Sequence, residues 1–162
     1  MNEEQVWAVQ QWLIKARNDL RSAQRLFTAQ PPLLDTAAYH CQQGAEKALK
    51  GYLTLHEAPF RKNHLLAPLL AECQAYDPGF GALAEAGEAL TPFATSFRYP
   101  GDVLEPEDAT VAEAMQLAGA VFSFVLDRTP EEESRGVPTW PAEAWAERLL
   151  DAPNSDAVFR EQ

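Results

Sequence analysis

Apolar residues recur at three- and four-residue steps along most of the chain. Val6, Val9, Leu13, Ala16, Leu20, Ala23 and Phe27 share one face of a helix that this spacing predicts over Glu3 to Phe27. Asn2 suits its N-cap, with Gln5 three residues on. Trp7 and Ile14 lie off the stripe and predict a second contact, with another helix or a partner chain. Pro31-Pro32 end this helix, and Asp35 reads as the cap of a second one running to about Glu57. Pro59 and Asn63 mark the loop after it. A shorter helix is expected from Leu65 to Tyr76, with Pro68 in its first turn, followed by a turn at Asp77-Pro78-Gly79. A fourth helix is expected from Phe80 to Phe97, weakened by Gly81, Gly87 and Pro92, with Pro92 placed to kink or split it. Arg98 to Asp102 forms a loop, and Pro106 suits the first turn of a fifth helix ending near Arg128. That helix is apolar nearly all round, which predicts a central position or an interface. No stretch alternates apolar with polar residues for long, so residues 1–128 are expected to form an all-α helical bundle.

The second helix carries the densest pattern. Ala38, Cys41, Ala45, Leu49 and Tyr52 form a buried stripe, flanked by Ala37, Gly44, Ala48 and Gly51. A glycine inside a helix costs roughly 1 kcal/mol relative to alanine, so two of them imply that another backbone comes close. The opposite flank holds Tyr39, Gln42, Gln43, Glu46 and Lys50. Glu46 and Lys50 stand four apart in the favourable order for an ion pair. This flank reads either as a solvated face with an ion pair or as a binding surface.

Composition narrows the field. The net charge is −11, so the overall field repels phosphate backbones and any nucleic-acid contact needs a local basic patch. Lys15, Arg17, Arg21 and Arg25 read as the solvated side of the first helix. His56, Arg61, Lys62 and His64, with Lys47 and Lys50 nearby, form a second basic group that is either a solvated loop or an anion site. Cys41 and Cys73 are too few for a disulfide framework and read as reduced thiols of a cytoplasmic protein. The start of the chain lacks a secretory pattern, and the apolar run Leu117–Leu126, broken by Ser123, is short for a membrane span, so no membrane association is expected. The histidines and cysteines lack metal-ligand spacing, and no cofactor motif is present.

Composition shifts at Thr129. Residues 129–162 are acidic and carry four of the twelve prolines and the run Glu131-Glu132-Glu133. They read as a tail with a short helix near 141–150, whose apolar side would be Trp140, Trp145, Leu149 and Leu150. The tail either docks on the body or a partner, or is mobile.

Several features taken together resemble the HEPN domain family (higher eukaryotes and prokaryotes nucleotide-binding), over about residues 5–128. They are Trp12 and Lys15-Ala16-Arg17-Asn18-Asp19-Leu20 in the first helix and Gln42-Gln43-x-Ala45-Glu46-Lys47-Ala48-Leu49-Lys50 in the second. His64-Leu65-Leu66 opens the third, and Arg98-Tyr99-Pro100 precedes the last. The resemblance implies an antiparallel up-and-down bundle, commonly dimeric. Many members are metal-independent ribonucleases. Others are partners of a small nucleotidyltransferase in toxin–antitoxin-type pairs. The ribonuclease branch places a His four to six residues after an Arg, one to move protons and the other to neutralise charge on phosphorus. Here no His follows Arg98; the three are His40, His56 and His64.

The resemblance and that departure point to a non-catalytic homodimer that binds a nucleotide, an RNA phosphate or a minimal nucleotidyltransferase. The candidate ligand-binding residues are Gln42, Gln43, Glu46, Lys47, Lys50, His64, Arg98 and Tyr99. Arg98 reads either as an ion pair with Glu46 or as a phosphate clamp. The alternatives are a ribonuclease toxin with an atypical active site, to which the fold would bring His64, and a structural homo-oligomerisation module.

Overall fold

Two long helices, α1 (Glu3–Thr28) and α2 (Leu34–Leu55), form the antiparallel hairpin on which everything else is built. The structure is a computed structural model that describes residues 1–101 and 105–141. Asn2 caps α1 as expected, its side-chain Oδ1 accepting from the Gln5 backbone N–H at 2.8 Å. The apolar stripe of α1 is buried from Val9 through Ala23. Asp35 is not the cap of α2. The helix begins one residue earlier, at Leu34, and the Asp35 carboxylate instead accepts from the backbone N–H and hydroxyl of Thr36 within the first turn.

Both α2 glycines sit where α1 comes closest. A Cβ at Gly44 would stand 2.9 Å from Leu20 Cδ2 and 3.2 Å from the Ala16 carbonyl oxygen. One at Gly51 would stand 3.2 Å from Trp12 Cβ. The small-residue flank lets the two backbones approach more nearly than side chains would allow.

α3 (Leu66–Gln74) follows, with Pro68 in its first turn. The expected helix from Phe80 to Phe97 is three short pieces: a 3₁₀ segment Pro78–Leu83, α4 (Ala84–Leu90) and a second 3₁₀ segment Thr91–Ala94. Pro78 and Pro92 cannot donate the hydrogen bond a helix interior needs, so each sits at a segment start. Gly87 packs closely on α3: a Cβ there would meet Leu70 Cδ1, which would have to shift. Phe97 then adopts a left-handed backbone (φ 66°), uncommon for a bulky residue, and turns the chain before Arg98.

α5 (Asp108–Asp127) is the central helix. Pro106 lies outside its first turn; Glu107 is the N-cap. Its twenty residues have the length and apolar character of a membrane span, and here Val111, Met115, Ala118, Val121, Phe122 and Val125 are buried, mainly against α2 and α1. α6 (Glu131–Ser134) packs on α1, and Val137 and Trp140 join the core cluster. Among the described residues there is no strand. The expected helix near 141–150 lies outside the described residues, apart from Pro141, which is in no helix.

Candidate functional site

The polar flank of α2 is not a solvated face. Gln42, Gln43, Glu46 and Lys50 are all buried, enclosed by α1, by the loop before α3 and by the segment after α4. Burial of so many polar groups on one helix is stable only when each finds a partner. Glu46 is the centre of that arrangement. Its Oε1 accepts from Lys50 Nζ at 2.6 Å. Its Oε2 accepts from Gln42 Nε2 at 3.0 Å, from Gln43 Nε2 at 3.2 Å and pairs with His64 Nδ1 at 3.1 Å. Gln42 donates its second amide proton to the His64 carbonyl at 3.0 Å, and Gln43 its second to Gln42 Oε1 at 2.7 Å. Burial pushes the Glu46 carboxyl up, but the hydrogen bonds from Lys50, Gln42 and His64 and the charge of Lys50 outweigh it, holding the group below its ordinary value. The Lys50 ammonium lies over the Trp12 and Phe60 rings, 5.8 and 5.6 Å from their centroids, and those rings meet edge to face.

A second buried carboxylate repeats the scheme. Asp19 of α1 pairs Oδ1 with His40 Nδ1 at 2.7 Å and accepts from Lys47 Nζ through Oδ2 at 2.6 Å. Each carboxylate therefore anchors one lysine and one histidine. In both cases the histidine is held through Nδ1, which leaves Nε2 directed away from its carboxylate. The His64 side chain is 57% exposed.

Arg98 does not pair with Glu46. That carboxylate already meets Lys50, Gln42, Gln43 and His64, and the turn at Phe97 delivers the guanidinium to the start of the flank instead. Arg98 donates Nη1 to the Ala94 carbonyl at 3.0 Å and lies over the Tyr39 ring, 4.5 Å from its centroid, with Tyr99 at 5.5 Å. Arg98 is exposed, and so is Tyr99, at 72%. Tyr39 to Lys50 spans about 16 Å of helix at 1.5 Å per residue. Along that length the surface presents Arg98, His40, Lys47 and His64, with Tyr39 and Tyr99 between them, while both acidic groups lie underneath.

Charge is unevenly divided along the chain. Residues 5–62 hold eight of the thirteen Lys/Arg and only four of the twenty-four Asp/Glu. Two of those four are Asp19 and Glu46, already engaged. That stretch thus carries a net positive charge on an acidic protein, although α1 and α2 themselves, with Glu3 and Glu4 at the start of α1, hold six Lys/Arg against five Asp/Glu. Lys15, Arg21, Arg25, Arg61 and Lys62 are exposed. Arg17 departs from the solvated reading of α1: it is half-buried, with its Nε enclosed and without a hydrogen-bond partner among the described residues.

His56 stands apart from the site. It stacks on Tyr76 at 4.4 Å and against Tyr52 at 4.6 Å, and burial lowers its imidazole below the ordinary value. An open groove where the start of α1 meets the end of α2, lined by Asn2, Gln5, Thr54 and Glu57, contains none of the candidate residues. Among the described residues, no three of His, Cys, Asp and Glu are grouped to hold a metal ion. Cys41 and Cys73 are buried thiols; burial raises both, Cys73 to about 12.

Four residues of this arrangement were not among the candidate site residues: Trp12, Asp19, His40 and Phe60. Trp12 and Asp19 stood out only as part of the family motif in the first helix, and His40 and Phe60 had no such signal.

Comparison with known proteins places the geometry in context. A model of the HEPN domain matches residues 9–129. Among solved structures, the chain is similar to TT1696 from Thermus thermophilus, with a TM-score of 0.66 and 27% identity, covering 75% of this chain and 98% of that one. No curated protein matches the chain.

Proposed function

The chain belongs to the HEPN domain family, and from that premise we propose that it is a non-catalytic binding module whose α2 flank and Arg98 loop receive a phosphate-bearing ligand, a nucleotide or an RNA strand. One observation carries this reading. Two buried carboxylates hold four nitrogen-bearing side chains along one side of α2, and Arg98 extends the row. Such a row, with its acids shielded, attracts phosphate even though the protein as a whole is acidic. Arg98 has guanidinium donors beyond the one given to Ala94, and the tyrosines beside it offer ring faces for a base. The reading includes a homodimer and a minimal nucleotidyltransferase as protein partner, in a toxin–antitoxin-type module; these parts rest on the family resemblance. Titration with ATP, GTP and short single-stranded RNAs tests it. Binding that weakens with salt supports the proposal; absence of binding by all three at low salt, with no partner co-purifying, removes it.

A second reading has its own observation. His64 and His40 are each oriented through Nδ1 by a carboxylate, an arrangement that also prepares an imidazole to move a proton through Nε2. This favours an atypical ribonuclease. Cleavage of RNA in the presence of a chelator, abolished by His64→Ala or Arg98→Ala, is what it requires; RNA left intact for hours by concentrated protein rejects it.

A further inference from the structure

The groove between the first turns of α1 and the end of α2 has a volume of about 430 Å³. Ala8, Ala58 and Pro59 give it apolar walls. The charged side chains that line it are Glu4 and Glu57, and no Lys or Arg does. Both carboxylates are exposed, and neither is in an ion pair among the described residues. The next basic residues of the loop, Arg61 and Lys62, follow Phe60 and do not line the groove. α2 ends here, so the negative end of its dipole falls at the same place, and its last turn holds no basic residue to offset that. His56, next in sequence, is taken up by its stack with Tyr76 and Tyr52.

Trp7 stands beside this groove, next to Ala8 and one turn beyond Glu4. It is 61% exposed, although so large an apolar ring is usually mostly hidden by folding. Acidic groups approach the same stretch of α1 from the other side. Gln10, three residues beyond Trp7, donates Nε2 to the Glu132 carbonyl at 3.0 Å and so brings in the exposed Glu131 and Glu132 of α6. The first Lys or Arg of α1 is Lys15, about 12 Å past Trp7 at 1.5 Å per residue. An exposed indole thus lies in an anionic surround with an open, partly apolar groove at its edge. Ring face and carboxylates attract the same charge, because a guanidinium or ammonium is drawn to the π quadrupole and forms charge-assisted hydrogen bonds to carboxylate oxygens.

The shape of the groove selects the source of that cation. Small-molecule sites enclose most of their ligand, and this groove is open along its length. An open groove beside a tryptophan suits a stretch of polypeptide, in which apolar side chains cover the alanine and proline walls and a tryptophan serves as anchor. We propose that the groove and Trp7 form a docking surface for a cationic segment of a partner protein, an arginine- or lysine-bearing stretch with apolar residues between its charges. The surface is opposite in sign to the row on α2 and shares no residue with it.

The test titrates the full-length chain into a fluorescent peptide of alternating arginine and leucine at low salt, followed by anisotropy. The peptide is expected to bind, and one of alternating glutamate and leucine is not. Trp7→Ala weakens binding by about tenfold or more. Glu4→Gln combined with Glu57→Gln weakens it by a similar factor and flattens its salt dependence. Glu88→Gln combined with Glu113→Gln, at exposed positions of α4 and α5, removes the same charge and leaves binding unchanged. That pair separates this surface from the general attraction of a protein with a net charge of −11. If Trp7→Ala loses its helical circular dichroism, the comparison of the two carboxylate pairs decides. No binding of the arginine–leucine peptide, a folded Trp7→Ala chain that binds it as the wild type does, or equal losses from the two carboxylate pairs overturns the proposal. None of these titrations contains nucleotide or RNA, so they stand or fall apart from the proposed function.

Discussion

Glu46 Oε2 stands 3.1 Å from Nδ1 of His64, a residue eighteen positions downstream and across a loop. The same carboxylate holds Lys50 on its other oxygen, so one side chain ties the loop before α3 to α2 and neutralises a buried ammonium. Removing it leaves Lys50 without its counter-ion in a place where water cannot replace it. Glu46→Ala is therefore expected to lower stability by about 3 kcal/mol or more. Chemical denaturation followed by helical circular dichroism measures it, and a loss under about 1 kcal/mol would mean that Lys50 finds water on its own.

The same residue sets an acid-side pH dependence. Its carboxyl titrates below the ordinary value of 4.5 when folded, so its contribution is complete above that pH and is lost as the pH falls through the folded value. Wild type is expected to lose stability steeply below about pH 4.5, and Glu46→Gln less steeply, so that the two curves converge in acid. Parallel curves from neutral pH down to about pH 3 would contradict the assignment.

Arg98 separates binding from stability. Its guanidinium is exposed and its contacts are the Ala94 carbonyl and two tyrosine rings. A cation–π contact at an exposed site is worth about 0.5–1 kcal/mol, so Arg98→Ala is expected to lower stability by no more than about that amount. A charge-assisted hydrogen bond to phosphate is worth about 1.5–3 kcal/mol, which corresponds to about tenfold or more in affinity. Isothermal titration with a short RNA should show that loss, with the salt slope reduced by about one. An unchanged dissociation constant would place the ligand elsewhere.

How much of this was legible beforehand follows from the range of each interaction. The long helices α1 and α2 were readable because a 3.6-residue period repeats for twenty residues or more. The Glu46–Lys50 pair was readable because both partners lie on one helix face. Asp19 was not, because its partners His40 and Lys47 lie 21 and 28 positions away and no local spacing encodes them. The burial of Gln42 and Gln43 was misread for a related reason: polar residues in such a run are exposed in most helices, and only the loop bearing His64 closes over these. Arg98 meets Tyr39 at the start of α2 rather than Glu46, because it follows the left-handed turn at Phe97. The prolines and glycines between Pro78 and Pro92 signalled a weak helix, and it divides into three pieces with Pro78 and Pro92 at segment starts.

The close approach of α1 and α2 gives a prediction in which size alone is varied. At Gly44 an added Cβ would meet Leu20 Cδ2 at 2.9 Å and the Ala16 carbonyl oxygen at 3.2 Å. The leucine methyl can rotate away; the carbonyl belongs to α1 and moves only if the helix does. Alanine gains about 1 kcal/mol of helix propensity over glycine, whereas overpacking a tight contact costs typically about 1–3 kcal/mol. The second term is the larger here, so Gly44→Ala is expected to be destabilising by about 1 kcal/mol and Gly44→Leu by several times that. Because Asp19 and its two partners bridge the same interface, forcing the helices apart also lengthens the contacts to His40 and Lys47. Gly44→Leu should accordingly weaken RNA binding along with thermal stability, whereas an exposed control such as Ala71→Leu changes neither. A Gly44→Leu chain that melts at the wild-type temperature would show that α1 and α2 do not pack backbone to backbone at this point.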